Sequence, residues 1–172
     1  MKRIALNRDW KLWQVSGEET KGQIFTIDML PCQVEDVLIR EGIVENPNLH
    51  GHNMDRWIGK NDWCYEKHFF LEETAGNFHL VLGGLDTFAD ILLNGHLLAH
   101  NESAYMPCRI ENVSGLQKGE NVLRLYSGHH GRFWNRSGFP ENSKSWCRIS
   151  AGHVCSAPGS MSFPVRCRIW SG

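Results

Sequence analysis

Gly83-Gly84-Leu85-Asp86-Thr87-Phe88-Ala89-Asp90-Ile91-Leu92-Leu93-Asn94-Gly95 reads as a polar corner, a buried strand and a tight turn. Asn and Gly both tolerate the positive φ that a two-residue type I′ turn demands. Asn94-Gly95 is therefore predicted to close a hairpin between Ile91-Leu92-Leu93 and Leu97-Leu98. At the corner, Asp86 stands before Thr87, where an Asp side chain can bond the backbone two residues on and hold the turn. A metal or ligand role for Asp86 is the competing reading, and no neighbouring carboxylate cluster supports calcium.

Outward from the hairpin, period-two alternation dominates over helical period. Residues 24–29 are predicted as a strand closed by Pro31, and further strands follow at 65–71, 78–82 and 122–126. The Ala75-Gly76-Asn77 and Lys118-Gly119-Glu120-Asn121 stretches supply turns between them. One stretch has helical spacing: Val34 to Arg40 places Val34, Val37 and Leu38 on one face, and Gly42 stops it. Many short strands with turn signals between them indicate an all-β antiparallel sandwich with one short helix near residues 34–41.

The chain has 172 residues, one domain by length, with 41% hydrophobic and 22% charged residues and a net charge of −1. That balance gives no electrostatic case for nucleic acid or an anionic membrane, and no apolar run approaches the ~20 residues of a membrane span. After Met1-Lys2-Arg3 come Asn7, Arg8 and Asp9, where a signal peptide needs an apolar stretch, so a cytoplasmic chain is expected. The six cysteines are widely and irregularly spaced without a CxxC pair, and free thiols are the expected state. Asn-x-Ser sequons at Asn101, Asn112 and Asn135 would matter only in a secreted chain. Beyond Glu141 there is no Asp or Glu, while Lys144, Arg148, Arg166 and Arg168 remain and the alternation is lost. Two segments are accordingly expected: 1–141 as the sandwich, and 142–172 as a tail that is divergent, or truncated by a changed reading frame, or that completes the sandwich.

Several blocks together carry a family resemblance. The string Gly84-Leu85-Asp86-Thr87 through Leu93-Asn94-Gly95 resembles the "GLDTxAxxxLNG" wording of the N-terminal β-sandwich of β-mannosidases in glycoside hydrolase family 2. Leu6-Asn7-Arg8-Asp9-Trp10-Lys11-Leu12 is similar to the family's first strand, and Leu30-Pro31-Cys32-Gln33-Val34 to its entry into a short helix. Gly42-Ile43-Val44-Glu45-Asn46-Pro47, Trp57-Ile58-Gly59 and Asp62-Trp63-Cys64-Tyr65 follow in the family's order, as does the strand after Lys118-Gly119-Glu120-Asn121. The blocks cover roughly residues 6 to 126. The resemblance implies a jelly-roll or galactose-binding-domain-like sandwich, which is non-catalytic and packs on a downstream (β/α)₈ barrel of an enzyme that hydrolyses terminal β-D-mannosides. It implies carbohydrate as a ligand and no cofactor. In the family a "GWDW" segment precedes closure of the sandwich and reaches the sugar; here Trp146-Cys147-Arg148 is followed by no such string.

A retaining glycosidase needs two carboxyl groups about 5 Å apart, and a barrel takes roughly 200–250 residues, so the chain alone is not expected to cleave a glycosidic bond. Glu18-Glu19 and Glu72-Glu73 read as solvated turns. A free-standing carbohydrate-binding module and a purely structural interaction domain stand as alternatives. Aromatic faces stack on sugar rings, and Trp134 with Arg136 is the pair named as sugar-facing, in a donor-rich stretch. Trp10 is expected in the core and Trp63 at a packing surface; Asp86, Thr87, Asn94, Gly95 and Trp63 form the structural motif. His50-Gly51-His52, His129-His130 and His153 with Cys155 and Cys167 have no metal-site spacing, so no metal is expected.

Overall fold

Alternation of buried and exposed side chains runs through the long strands, and two antiparallel sheets follow from it. The computed structural model describes residues 2–45, 57–85, 87–127 and 167–171. Its strands are β1 (Lys2–Ala5), β2 (Arg8–Gln14), β3 (Phe25–Met29), β4 (Trp63–Leu71), β5 (Phe78–Leu82), β6 (Ala89–Leu93), β7 (His96–Asn101), β8 (Cys108–Ile110), β9 (Gly119–Ser127) and β10 (Cys167–Ser171). A helix α1 (Val34–Arg40) and a 3₁₀ turn at Ile58–Lys60 lie between β3 and β4. One sheet has the order β1-β10-β5-β8 and the other β3-β2-β4-β9-β6-β7. The inner faces share a core of Leu6, Trp10, Leu12, Ile27, Leu80, Leu82, Ile91, Leu93, Leu123 and Ile169. The expected all-β sandwich is what forms.

The hairpin turns as its two residues require. Asn94 has φ 50° and Gly95 φ 85°, and Leu93 pairs with His96 directly across them. Leu98 is the extra residue of a bulge between the Ile91–Ala99 and Leu92–Leu97 pairs. Helix α1 has the predicted bounds and buries Val34, Val37 and Leu38. Asp36 accepts a 3.2 Å bond from the Gln33 amide, satisfying a donor at the helix N-terminus.

Boundaries shift in four strands: β4 starts at Trp63 rather than Tyr65, and β9 spans Gly119–Ser127, taking in part of the predicted turn. The first predicted strand splits: Leu6 is a core residue outside any strand, and β2 runs on to Gln14 because Gln14 pairs with Trp63 of β4. Ile24 drops out of β3 and stands 65% exposed. From the segment beyond residue 141, β10 inserts between β1 and β5, with Lys2 opposite Ser171 and Leu82 opposite Cys167.

Candidate functional site

Two kinds of polar construction occupy this sandwich: buried amide clamps that fix its corners, and a charged, partly aromatic outer face on the six-stranded sheet. The clamps come first because they hold the residues the sequence singled out. Asn94 Nδ2 donates to Gly115 O (2.8 Å) and to Asn121 Oδ1 (2.9 Å). Its Oδ1 accepts from the Val122 amide, and its own amide donates to Val122 O, both at 2.8 Å. Asn121, fully buried, returns Nδ2 to Gln117 O at 2.7 Å and accepts from the Gln117 amide at 2.9 Å. The hairpin tip, the 115–119 turn and the start of β9 are thereby one hydrogen-bonded unit. Asn101 performs the same service at the other end of β6, where its Nδ2 donates to Thr87 O (2.7 Å) and Ser103 O (2.9 Å). Thr87 contributes its carbonyl to this corner. Asp86, Trp134 and Arg136 lie outside the described residues, as do the histidine groupings named above.

Sequence reasoning found Asn94 through its turn but missed Asn101 and Asn121, reading the first as a sequon and the second as a turn residue. The available signal was that each Asn adjoins an apolar strand, where an amide can be enclosed and must find partners. Trp63 is buried, donating Nε1 to Ile58 O at 3.0 Å, with its ring 6.1 Å from that of Trp57 at a 42° tilt. Trp10 is likewise a core residue, bonded through Nε1 to Leu6 O at 2.6 Å. Glu19 is exposed, as expected for a solvated turn, and also organises its loop. Its carboxylate gathers Gln14 Nε2 (2.7 Å), Asn61 Nδ2 (3.0 Å) and the Glu18 amide (3.1 Å), which ties the 15–22 loop to the start of β4. These bonds, the one from Gln14 foremost, hold its pKa below the usual carboxylate range.

On the outer face, strand register aligns Lys11 of β2, Glu66 of β4 and Arg124 of β9 in one row. Glu66 Oε2 accepts from Arg124 Nε at 2.7 Å, and Oε1 lies 2.9 Å from His68 Nε2. Nδ1 of His68 reaches Glu120 Oε1 at 2.7 Å. Burial pushes the Glu66 carboxyl upward, but the bonds to His68 and Arg124 outweigh it and the net shift is down. His68 moves up, first through Glu120 and then through Glu66. One row further on, Cys64, Tyr126, Asp90 and His100 follow across β4, β9, β6 and β7, with His100 Nδ1 bonded to Asp90. Burial pushes the Cys64 thiol up to about 12, so it is an inert neutral group rather than a nucleophile. Cys32, Cys64 and Cys108 are free thiols. Beside this network, Lys11, Trp13, Gly22, Gln23, Ile24 and Glu66 line a groove of about 270 Å³. Among the described residues no three His, Cys, Asp or Glu side chains converge as a metal would need.

With this architecture in view, comparison with known proteins is decisive on ancestry. The model of the family described as "Glycosyl hydrolase 2 galactose-binding domain-like" matches residues 10–133. The chain belongs to this family. It is 27% identical over 124 residues to beta-mannosidase B of Thermothelomyces thermophilus, covering 70% of this chain and 14% of that protein. A probable beta-mannosidase of Caenorhabditis elegans is 28% identical over 100 residues, covering 56% of this chain and 11% of the relative. Among solved structures, a beta-D-mannosidase from Dictyoglomus thermophilum superposes with a TM-score of 0.63 at 23% identity, over 74% of this chain and 16% of that one. A beta-D-glucuronidase of the same organism gives 0.55 at 18%, over 74% and 19%. At such identities the structural likeness speaks for the fold. The chain of this family member spans about one-seventh of the first of these relatives.

Proposed function

We propose that this chain is the non-catalytic N-terminal sandwich of a β-mannosidase-like enzyme, packed on a catalytic (β/α)₈ barrel whose activity is release of terminal β-linked mannose. One observation carries the reading: residues 10–133 match the galactose-binding-like family model, and a beta-mannosidase matching 70% of this chain has only 14% of its own length covered by it. Paired carboxylates for glycoside cleavage belong to the barrel in this reading, and the sandwich contributes rigidity. Its corners are closed by Asn94, Asn101 and Asn121.

The decisive experiment reads the parent gene past the codon for Gly172. A frame that continues into a barrel carrying two catalytic glutamates, with p-nitrophenyl β-D-mannoside hydrolysed by the whole product and not by the present chain, supports the assignment. A stop with no barrel in any frame overturns it, as does hydrolysis by the present chain alone.

A further inference from the structure

The groove beside Trp13 is built from chemistry that nothing in the clamps or the core requires. Trp13 lies on the outer face of β2, half-buried, opposite Cys64 of β4. Gln23 and Ile24 come from the loop ahead of β3, and Gly22 leaves room beside them, since a Cβ there would meet nothing within 4 Å. Lys11 and Glu66 complete the lining. The lining thus offers an indole and an aliphatic side chain together with an ammonium, a primary amide and a carboxylate. Glu66 is already held by Arg124 and His68, so its position is fixed before anything binds. The side chains of Lys11, Trp13 and Gln23, by contrast, make no hydrogen bond or ion pair with the described residues, which leaves their donors directed to solvent or to a ligand.

We infer that this groove is a binding subsite for a single pyranoside ring, stacked on Trp13 and hydrogen-bonded by Gln23, Lys11 and Glu66. An aromatic plate suits the apolar face of a pyranose, whose hydroxyls need donors and acceptors around its edge. The size fits one ring, since pockets for larger ligands run to about 300–1,000 Å³. Glu66 is already neutralised by Arg124 and His68, so Lys11 is the charge of the lining left to meet a ligand, and a uronate is accommodated alongside neutral rings. The subsite lies on a sheet face and not on a barrel, and its occupancy does not depend on which catalytic domain the chain serves.

The test is a titration of the full chain with methyl β-D-mannopyranoside, methyl β-D-glucopyranoside and methyl β-D-glucuronide, followed by ¹H–¹⁵N NMR. Saturable shifts of the Trp13 indole N–H and the Gln23 side-chain amide are expected with at least one of the three glycosides, with a dissociation constant on the order of 1 mM. Trp13→Ala should weaken binding at least tenfold and Trp13→Phe less, with the dispersed spectrum of both variants reporting that they fold. Lys11→Met and Gln23→Ala, at exposed positions, should each weaken it severalfold. Absence of shifts at 100-fold that concentration overturns the proposal, as does binding that survives Trp13→Ala. None of these outcomes depends on the gene's reading frame, so the subsite and the parent-enzyme assignment fail separately.

Discussion

Asn121 shows how one enclosed amide can govern a stretch of chain far longer than itself. Four hydrogen bonds converge on a side chain without solvent exposure, and truncation leaves partners on Asn94 and Gln117 unmatched. Gln117 is exposed and Asn94 half-buried, so water meets part of what is lost, and Asn121→Ala should lose about 1–3 kcal/mol, read as a lower urea midpoint with an unchanged slope. Asn94→Ala should lose a similar amount, because alanine at φ 50° adds backbone strain to the lost bonds. Amide exchange at Val122 should quicken in both, since its N–H is held by Asn94 Oδ1. Gly17 makes a parallel case at the other loop cluster. It sits at φ 94°, and a Cβ would come within 2.6 Å of both Asn61 Oδ1 and Glu19 Oε2. Gly17→Ala should therefore displace the very groups that bind the loop together, costing more than about 1 kcal/mol in the same urea assay.

Between strands β4 and β9, the cluster around His68 makes stability depend on pH from both sides. The ordinary imidazole value of 6.5 is raised in the folded chain, so the stability this contributes is full below about pH 6.5 and fades as pH climbs through the folded value. Glu66 behaves oppositely. Its folded value lies under 4.5, and its contribution is full above that pH and lost as pH falls through the folded value. Urea midpoints should form a plateau between about pH 4.5 and 6.5, and His68→Gln should flatten the alkaline side of it. Because the His68 side chain is 42% exposed, the amplitude should stay below about 1 kcal/mol. An identical alkaline slope in the variant would remove His68 as its source. Element legibility tracks how local each element's cause is. Helix α1 was readable because Val34, Val37, Leu38 and Gly42 encode its face and its end within nine residues. The hairpin was readable because Asn94-Gly95 encodes its turn. Strands β1, β8 and β10 were not, since each exists only through pairing with distant partners. The groove was illegible for the same reason: Trp13, Gln23 and Glu66 are joined by register and a loop path, neither of which leaves a pattern in sequence.

For the molecule as a whole, the dependence on residues 167–171 is testable by deletion. Without β10, β1 has no partner in its sheet and Ile169 leaves the shared core, so a chain ending at residue 166 should lose several kcal/mol and bind hydrophobic dyes. An unchanged urea midpoint would show that the four-stranded sheet is dispensable. The placement of β10 also orders events in time. During synthesis, at about 5–20 residues per second, every strand of the six-stranded sheet has been made once Ser127 is reached. The partner of Lys2 is Ser171, and until that residue emerges β1 and one edge of β5 wait with unpaired backbone groups. Closing so long a loop costs little in final stability, because the entropy grows only logarithmically with length, but it delays the contact. The nascent chain thus carries one finished sheet and one open one, and the open edge is where a chaperone, or a wrong strand, would first find purchase.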